Sequence, residues 1–182
     1  GEGCGLKVER QHKIHGELSS NVKNYLDQTL DQMNYTPNRQ AELETIRKLS
    51  KNGRKLEHPD STVDVFVTTP DNKEIYIDIT TAKPNKKEFR TLKRKILTWT
   101  AMRWSIDPKA DIECYIAIPY NPEDKNSNNY NRFSSYYDRA DILVGDELWE
   151  IVSNGQFNIQ RLEKIFGSIN REVKNEIQQL LK

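Results

Sequence analysis

Apolar positions recur at Leu18, Val22, Tyr25, Leu26, Leu30 and Met33, the spacing of one helix face. Ser19 or Ser20 is the N-cap, and residues 34–38, with Pro37, break the pattern. A second, shorter helix is predicted over 40–50, with Leu43, Ile46 and Leu49 inward and Asn52-Gly53 as its stop. The period then drops to two. Residues 62–68 and 73–81 are β-branched and aromatic, and Pro70-Asp71-Asn72 between them is turn chemistry, so the pair reads as a β-hairpin. Pro84-Asn85 opens a long helix with Phe89, Leu92, Ile96, Trp99 or Thr100, and Trp104 at core spacing; Asp107-Pro108 stops it. Ile112, Cys114, Ile116 and Ile118 alternate along a third strand, 111–119. Residues 119–135 form a polar, aromatic loop long enough to be functional. A short helix over 146–152 precedes a long amphipathic one over 159–181, with Leu162, Ile165, Phe166, Ile169, Val173, Ile177 and Leu181 on one face.

A hairpin followed by a helical crossover to another strand gives an α/β fold: a mixed central sheet flanked by helices. The 182 residues suit one domain, with a core over about 38–120 and C-terminal helices over 146–182. No element is predicted for residues 1–15, which read as disordered. The opening Gly-Glu-Gly-Cys-Gly reads as an expression scar or the stump of a longer protein.

Composition narrows the function classes. Hydrophobic residues make up 35% and charged residues 30%, a globular balance rather than a disordered one. No apolar run reaches membrane-spanning length and no signal-peptide pattern opens the chain. Cys4 and Cys114 are far apart, and His12, His15 and His58 lack cysteine partners, so neither a disulfide nor a zinc finger is expected. These features give a cytoplasmic expectation. The net charge is +1, but its distribution is uneven: Lys83, Lys86, Lys87, Arg90, Lys93, Arg94, Lys95 and Arg103 crowd one stretch. Lys83, Lys87, Arg90 and Arg94 recur at three- and four-residue steps, a stripe suited to DNA backbone phosphates or simply to solvent.

Asp64 lies in the first hairpin strand and Asp78 near the end of the second. A hairpin brings two such carboxylates to one face, where they repel unless a cation or a proton sits between them. Mg²⁺ favours one or two carboxylates with waters and phosphate oxygens, and the lysines just past the acidic strand would face the phosphate. Asp78 is embedded among apolar residues, where an unpartnered carboxylate is costly. Asp60, in Pro59-Asp60, is a second choice for the first ligand, and Glu42 and Glu44 are outer-carboxylate candidates. Base-edge donors are richest over 126–132, at Asn126, Asn128, Asn129, Asn131 and Arg132.

The string Asp78-Ile79-Thr80-Thr81-Ala82-Lys83-Pro84-Asn85, followed by Leu92-Lys93-Arg94-Lys95-Ile96-Leu97-Thr98-Trp99, resembles the PD-(D/E)XK nuclease superfamily, and more narrowly the TdeIII family of type II restriction endonucleases. Pro119-Tyr120-Asn121-Pro122 and Val144-Gly145-Asp146-Glu147-Leu148-Trp149 extend the likeness over roughly 38–166. The resemblance implies a type II restriction endonuclease that cuts double-stranded DNA with Mg²⁺, Mn²⁺ substituting, at a short palindrome of the GGNCC type. It makes Asp64 and Asp78 metal ligands, with the Ile79 carbonyl as a third. Lys83, Lys86, Lys87, Arg90, Arg94, Asn129 and Arg132 become the DNA contacts.

One position departs from the pattern. The lysine expected two residues after Asp78 is Thr80, which supplies no positive charge. Lys83 is the expected substitute. The rivals are a DNA-binding protein of the same fold with impaired catalysis and a non-enzymatic α/β interaction domain. Cutting both strands of a symmetric site favours a homodimer, although the first reading of the 159–181 helix is that it packs on its own sheet.

Overall fold

The computed structural model describes residues 2–30, 35–124, 129–132 and 134–180, with side chains up to residue 171. Met33, Asn126, Asn128 and Leu181 lie outside the described residues, as do the side chains of Val173 and Ile177.

A mixed five-stranded sheet runs in the order β1 (Lys7–Ile14), β4 (Ser61–Thr68), β5 (Glu74–Ile79), β6 (Ile112–Ile118), β7 (Ile142–Val144). β1, β4 and β5 are antiparallel neighbours, whereas β5, β6 and β7 are parallel. Two short strands, β2 (Glu17–Ser19) and β3 (Lys55–Glu57), pair separately. The expected α/β architecture is present. Helix α3 (Lys86–Ile106) makes the crossover from β5 to β6, because parallel neighbours need a long connection across one face.

Strand parity divides the core. Phe66, Tyr76, Cys114, Ile116 and Ile118 pack with α1 (Ser20–Leu30), α2 (Arg39–Leu49) and α3. Val67, Ile75, Ile77, Ala117 and Leu143 face the other way and pack with Leu6 and Leu148 of α4 (Asp146–Ser153). Helices therefore cover both sides, as a partly parallel sheet requires.

The predicted helices hold, with shifted ends. Ser19 Oγ accepts the Val22 N–H at 3.1 Å and starts α1. Asn38 caps α2. Asn85 and Glu88 form a reciprocal capping box at the start of α3. Gly16 lets the turn between β1 and β2 approach α3, since a Cβ there would lie 2.8 Å from the Met102 carbonyl oxygen.

Two expectations are corrected. Residues 1–15 contain an edge strand, β1, paired with β4 at every position but Gln11. Over the described side chains, the long helix α5 (Ile159–Leu180) leaves much of its apolar stripe outside the core: Ile165, Phe166 and Ile169 are 42%, 60% and 47% exposed.

Candidate active site

The ladder between β4 and β5 pairs Val65 with Ile77 and Phe66 with Tyr76. The ladder ends at Val65 and Ile77, and just beyond it the Asp64 and Asp78 carboxylates interact. Both carboxylates share the strand parity of Phe66 and Tyr76, which pack with α3. The hairpin thus brings the two predicted ligands together.

Each carboxylate is held. One Asp64 oxygen accepts the Ile79 N–H at 2.8 Å, and the other accepts the Gln11 side-chain amide at 3.2 Å. Gln11 lies between Arg10, paired with Val65, and His12, paired with Val63, so β1 sets it directly against Asp64. Its φ is +54°, a left-handed value that costs a non-glycine residue about 1–2 kcal/mol and that concentrates at functional sites. Asp78 is 3% exposed and accepts from Lys95 Nζ at 2.6 Å. Burial raises the Asp78 pKa above its usual carboxylate value; Lys95 opposes the rise and the adjoining Asp64 carboxylate adds to it. Two carboxylates in contact, one of them desolvated, call for positive charge between them.

Among the described residues, no group of three or more His, Cys, Asp or Glu side chains could hold a metal ion. The donors available are therefore two carboxylates and backbone oxygen. A strand residue's N–H and C=O face the same neighbour, so the Ile79 carbonyl turns toward β4 and Asp64 with its N–H. That set fits a cation that takes one or two carboxylates and completes its shell with waters and phosphate oxygens.

The other predicted residues are dispersed. Thr80 is 8% exposed, and its hydroxyl donates to Glu88 at 2.8 Å rather than turning to the carboxylate pair. Lys83 sits exposed on the turn between β5 and α3. Asp60 is exposed and binds His15, and Glu44 is exposed beside Gln40. Glu42 is 2% exposed and joined to Lys93 and Asp141, so the expectation of an outer carboxylate at the site fails for both helix glutamates.

The basic stretch also divides. Lys93 is buried, Arg94 binds Asp27 at 2.6 Å, Lys95 binds Asp78, and Arg103 binds Glu74 through two nitrogens. Lys86 and Arg90 flank the Tyr136 ring at 5.0 and 5.2 Å, and Lys87 is exposed. Only the first turns of α3 and the turn before it thus keep the predicted basic face.

Described residues of the polar loop bond to that turn and to one another. Tyr130 donates to the Ala82 carbonyl at 3.2 Å, Arg132 to the Pro84 carbonyl at 3.3 Å, and the Asn121 amide to the Asn129 carbonyl at 2.9 Å. Asn129 and Arg132 are therefore tied, through the loop, to the segment that follows Asp78. The residues missed from sequence are Gln11 and Lys95. Lys95 was visible only as one cation among eight.

A model described as the type II restriction endonuclease HinfI matches residues 2–181. The chain belongs to that family. Among curated proteins, the type II restriction enzyme MjaII of Methanocaldococcus jannaschii is 29% identical over 145 residues, covering 73% of this chain and 39% of that enzyme. The type II restriction enzymes HgiCII and HgiEI of Herpetosiphon aurantiacus are 23% identical over 176 residues and 24% over 155. These matches cover 92% and 80% of this chain, and 63% and 53% of the respective enzymes. The chain thus spans from about two fifths to just under two thirds of the length of these relatives. No solved structure matches it. Membership of the HinfI family supports the restriction-endonuclease resemblance carried by the motif at 78–99, and the mixed sheet is consistent with it. Among the described residues, no helix is long and apolar enough to cross a membrane.

Proposed function

We propose that this HinfI-family chain hydrolyses phosphodiester bonds of double-stranded DNA at a short palindromic site, using Mg²⁺, with Mn²⁺ able to substitute. The observation that carries the reading is the pair Asp64 and Asp78, opposed across a hairpin and beside the basic start of α3. Asp64, Asp78 and the Ile79 carbonyl would hold the cation. Bound there, it would activate a water and stabilise charge developing on the phosphate. Gln11 and the Ile79 N–H keep Asp64 oriented without neutralising it. Lys83, Lys86, Lys87 and Arg90 would contact backbone phosphates, which gives register and affinity rather than sequence information. Asn129 and Arg132, tied to the catalytic turn, are the base-edge candidates. Cleavage of both strands of a palindrome would be served by a homodimer. The narrower likeness to the TdeIII family, with its GGNCC-type site, rests on the 78–85 and 92–99 strings.

Thr80 favours one alternative, a protein that binds DNA and does not cut it. Incubation with unmethylated plasmid decides between them. Discrete fragments with Mg²⁺, absent with EDTA and sharing one end-mapped sequence, are expected. Intact plasmid that is retarded in a gel with Ca²⁺ would instead support the binding-only protein.

A further inference from the structure

The PD-(D/E)XK resemblance expects a lysine at position 80, where this chain has Thr80. We infer that Lys95, reaching down from the third turn of α3, is the catalytic cation of this site. The inference rests on the nuclease reading and adds a residue to it.

Lys95 Nζ lies 2.6 Å from Asp78 Oδ1, so the ammonium is held against one of the two carboxylates, which itself adjoins Asp64. Helical side chains lean toward the helix N-terminus. A residue nine positions into α3 therefore points back over the end of β5, the strand whose last turn of chain α3 follows. The ammonium is also placed 5.0 Å from the Trp99 ring centroid, which restricts where a long flexible stem can carry its charge. Its side chain is 32% exposed, whereas that of Asp78 is 5% exposed. One N–H is committed to Asp78, and an ammonium carries two further donors.

The rival candidates do not share these properties. Thr80 carries no charge, and its hydroxyl is committed to Glu88. Lys83 is on the exposed turn, where a lysine loses little by pointing into solvent. Lys93 is fully buried between Glu42 and Asp141. Arg94, on the next helix position, is taken by Asp27.

In the hydrolysis, a water oxygen bonds to phosphorus as the bond from phosphorus to the leaving sugar oxygen breaks. The water's proton passes to solvent, and the departing alkoxide takes one up from solvent. Lys95 keeps its own protons throughout. It hydrogen-bonds the attacking water and a non-bridging phosphate oxygen, and so stabilises negative charge that exists only on the way to product. The chemistry needs a positive donor at that point in space, not at a particular place in the chain. A lysine anchored on a helix serves as well as one anchored on the strand.

The test moves the lysine. Single-turnover cleavage at saturating DNA, with Mg²⁺, is measured for wild type, Lys95→Met, Lys83→Met, Thr80→Lys and the double variant Thr80→Lys/Lys95→Met. DNA affinity is measured for each with Ca²⁺. Lys95→Met is expected to lose roughly 100-fold or more in rate, the scale of one lost transition-state donor, with its Ca²⁺-supported DNA affinity retained. Lys83→Met, which removes a phosphate contact, is expected to weaken Ca²⁺-supported binding while losing far less rate at saturating DNA than Lys95→Met, and the double variant is expected to regain much of the lost rate. Recovery by relocation would not follow if Lys95 served only to neutralise Asp78 for folding.

Wild-type cleavage by Lys95→Met would overturn the inference, as would loss of the rate in Lys83→Met alone. A wild type that is inert while Thr80→Lys cuts would also overturn it, leaving the nuclease reading intact. Inactivity of both wild type and Thr80→Lys would remove the nuclease reading itself.

Discussion

At the scale of single residues, the site is a place where folding and chemistry oppose one another. Asp78 is buried, and burial with the Asp64 charge beside it lifts its pKa above the usual value against the pull of Lys95. A raised carboxylate pKa means that the folded chain binds the proton more tightly than the unfolded chain. The favourable contribution of that proton is present at low pH and is lost as pH rises through the folded-state value, so the ionised group costs stability at neutral pH. Asp78→Asn removes the charge and keeps an acceptor for Lys95. In metal-free buffer at pH 7 the variant is expected to melt at a higher temperature than wild type. The gap should narrow as pH falls toward the folded-state pKa, where wild type becomes neutral too. Thermal melts across pH read this directly, and a gap that widens on acidification would contradict it. Mg²⁺ should stabilise wild type and leave the variant unmoved, since only a group that binds the cation gains from it.

At the scale of elements, α3 carries both the core and the site. Its start, its apolar spacing and its stop were legible, because each is a local signal: Pro84-Asn85, then Phe89, Leu92, Ile96 and Trp99, then Asp107-Pro108. The destinations of its charges were not. Lys93, Arg94 and Lys95 are adjacent and alike in sequence, yet 100° of helical rotation per residue sends one inward, one to α1 and one to Asp78. Lys93 joins α3 to Glu42 of α2 and, at 2.5 Å, to Asp141 just before β7, with Arg39 at 3.5 Å from the other Asp141 oxygen. Lys93→Met strands two buried carboxylates with a single cation. A loss of about 3–5 kcal/mol in urea unfolding is expected, the scale for breaking a buried ion pair. A change too small to resolve would mean that the cluster contributes no net stability.

The strands were legible where they alternate and hidden where they do not. β4, β5 and β6 show β-branched or alternating apolar positions. β7 is three residues long, and β2 and β3 are equally short, below the length at which a period can be read. β1 reads Lys-Val-Glu-Arg-Gln-His-Lys-Ile, a polar edge strand whose charges discourage pairing with another chain. Gln11 could not be found without it, because its role depends on the register that sets it opposite Asp64. Of the candidate site, the carboxylate pair was available from hairpin parity, whereas its two side-chain partners, Gln11 and Lys95, come from elements 53 and 17 residues away.

At the scale of the whole molecule, a net charge of +1 gives no general attraction to DNA. Any affinity must come from a local face. Pairing of Arg94, Lys95 and Arg103 with carboxylates leaves Lys83, Lys86, Lys87 and Arg90 as that face. Lys87→Ala is expected to weaken binding equally for specific and unrelated duplexes. It should lower the slope of log affinity against log salt by about 1, the effect of one lost phosphate contact. Fluorescence anisotropy with Ca²⁺ over a salt series measures both, and an unchanged slope would remove Lys87 from the interface.

The measurement that bears most directly on the central claim compares wild type with Asp64→Asn on one plasmid substrate, in Mg²⁺ and in EDTA. Asn keeps an acceptor for the Ile79 N–H, and its NH₂ can donate to the Gln11 amide oxygen once that amide turns over, so the local fold is preserved while one charge of the pair is removed. Wild type is expected to give discrete fragments in Mg²⁺ alone, and Asp64→Asn to leave the plasmid intact in both buffers. Equal fragmentation by the two proteins in Mg²⁺ would place the chemistry elsewhere than the Asp64 and Asp78 pair.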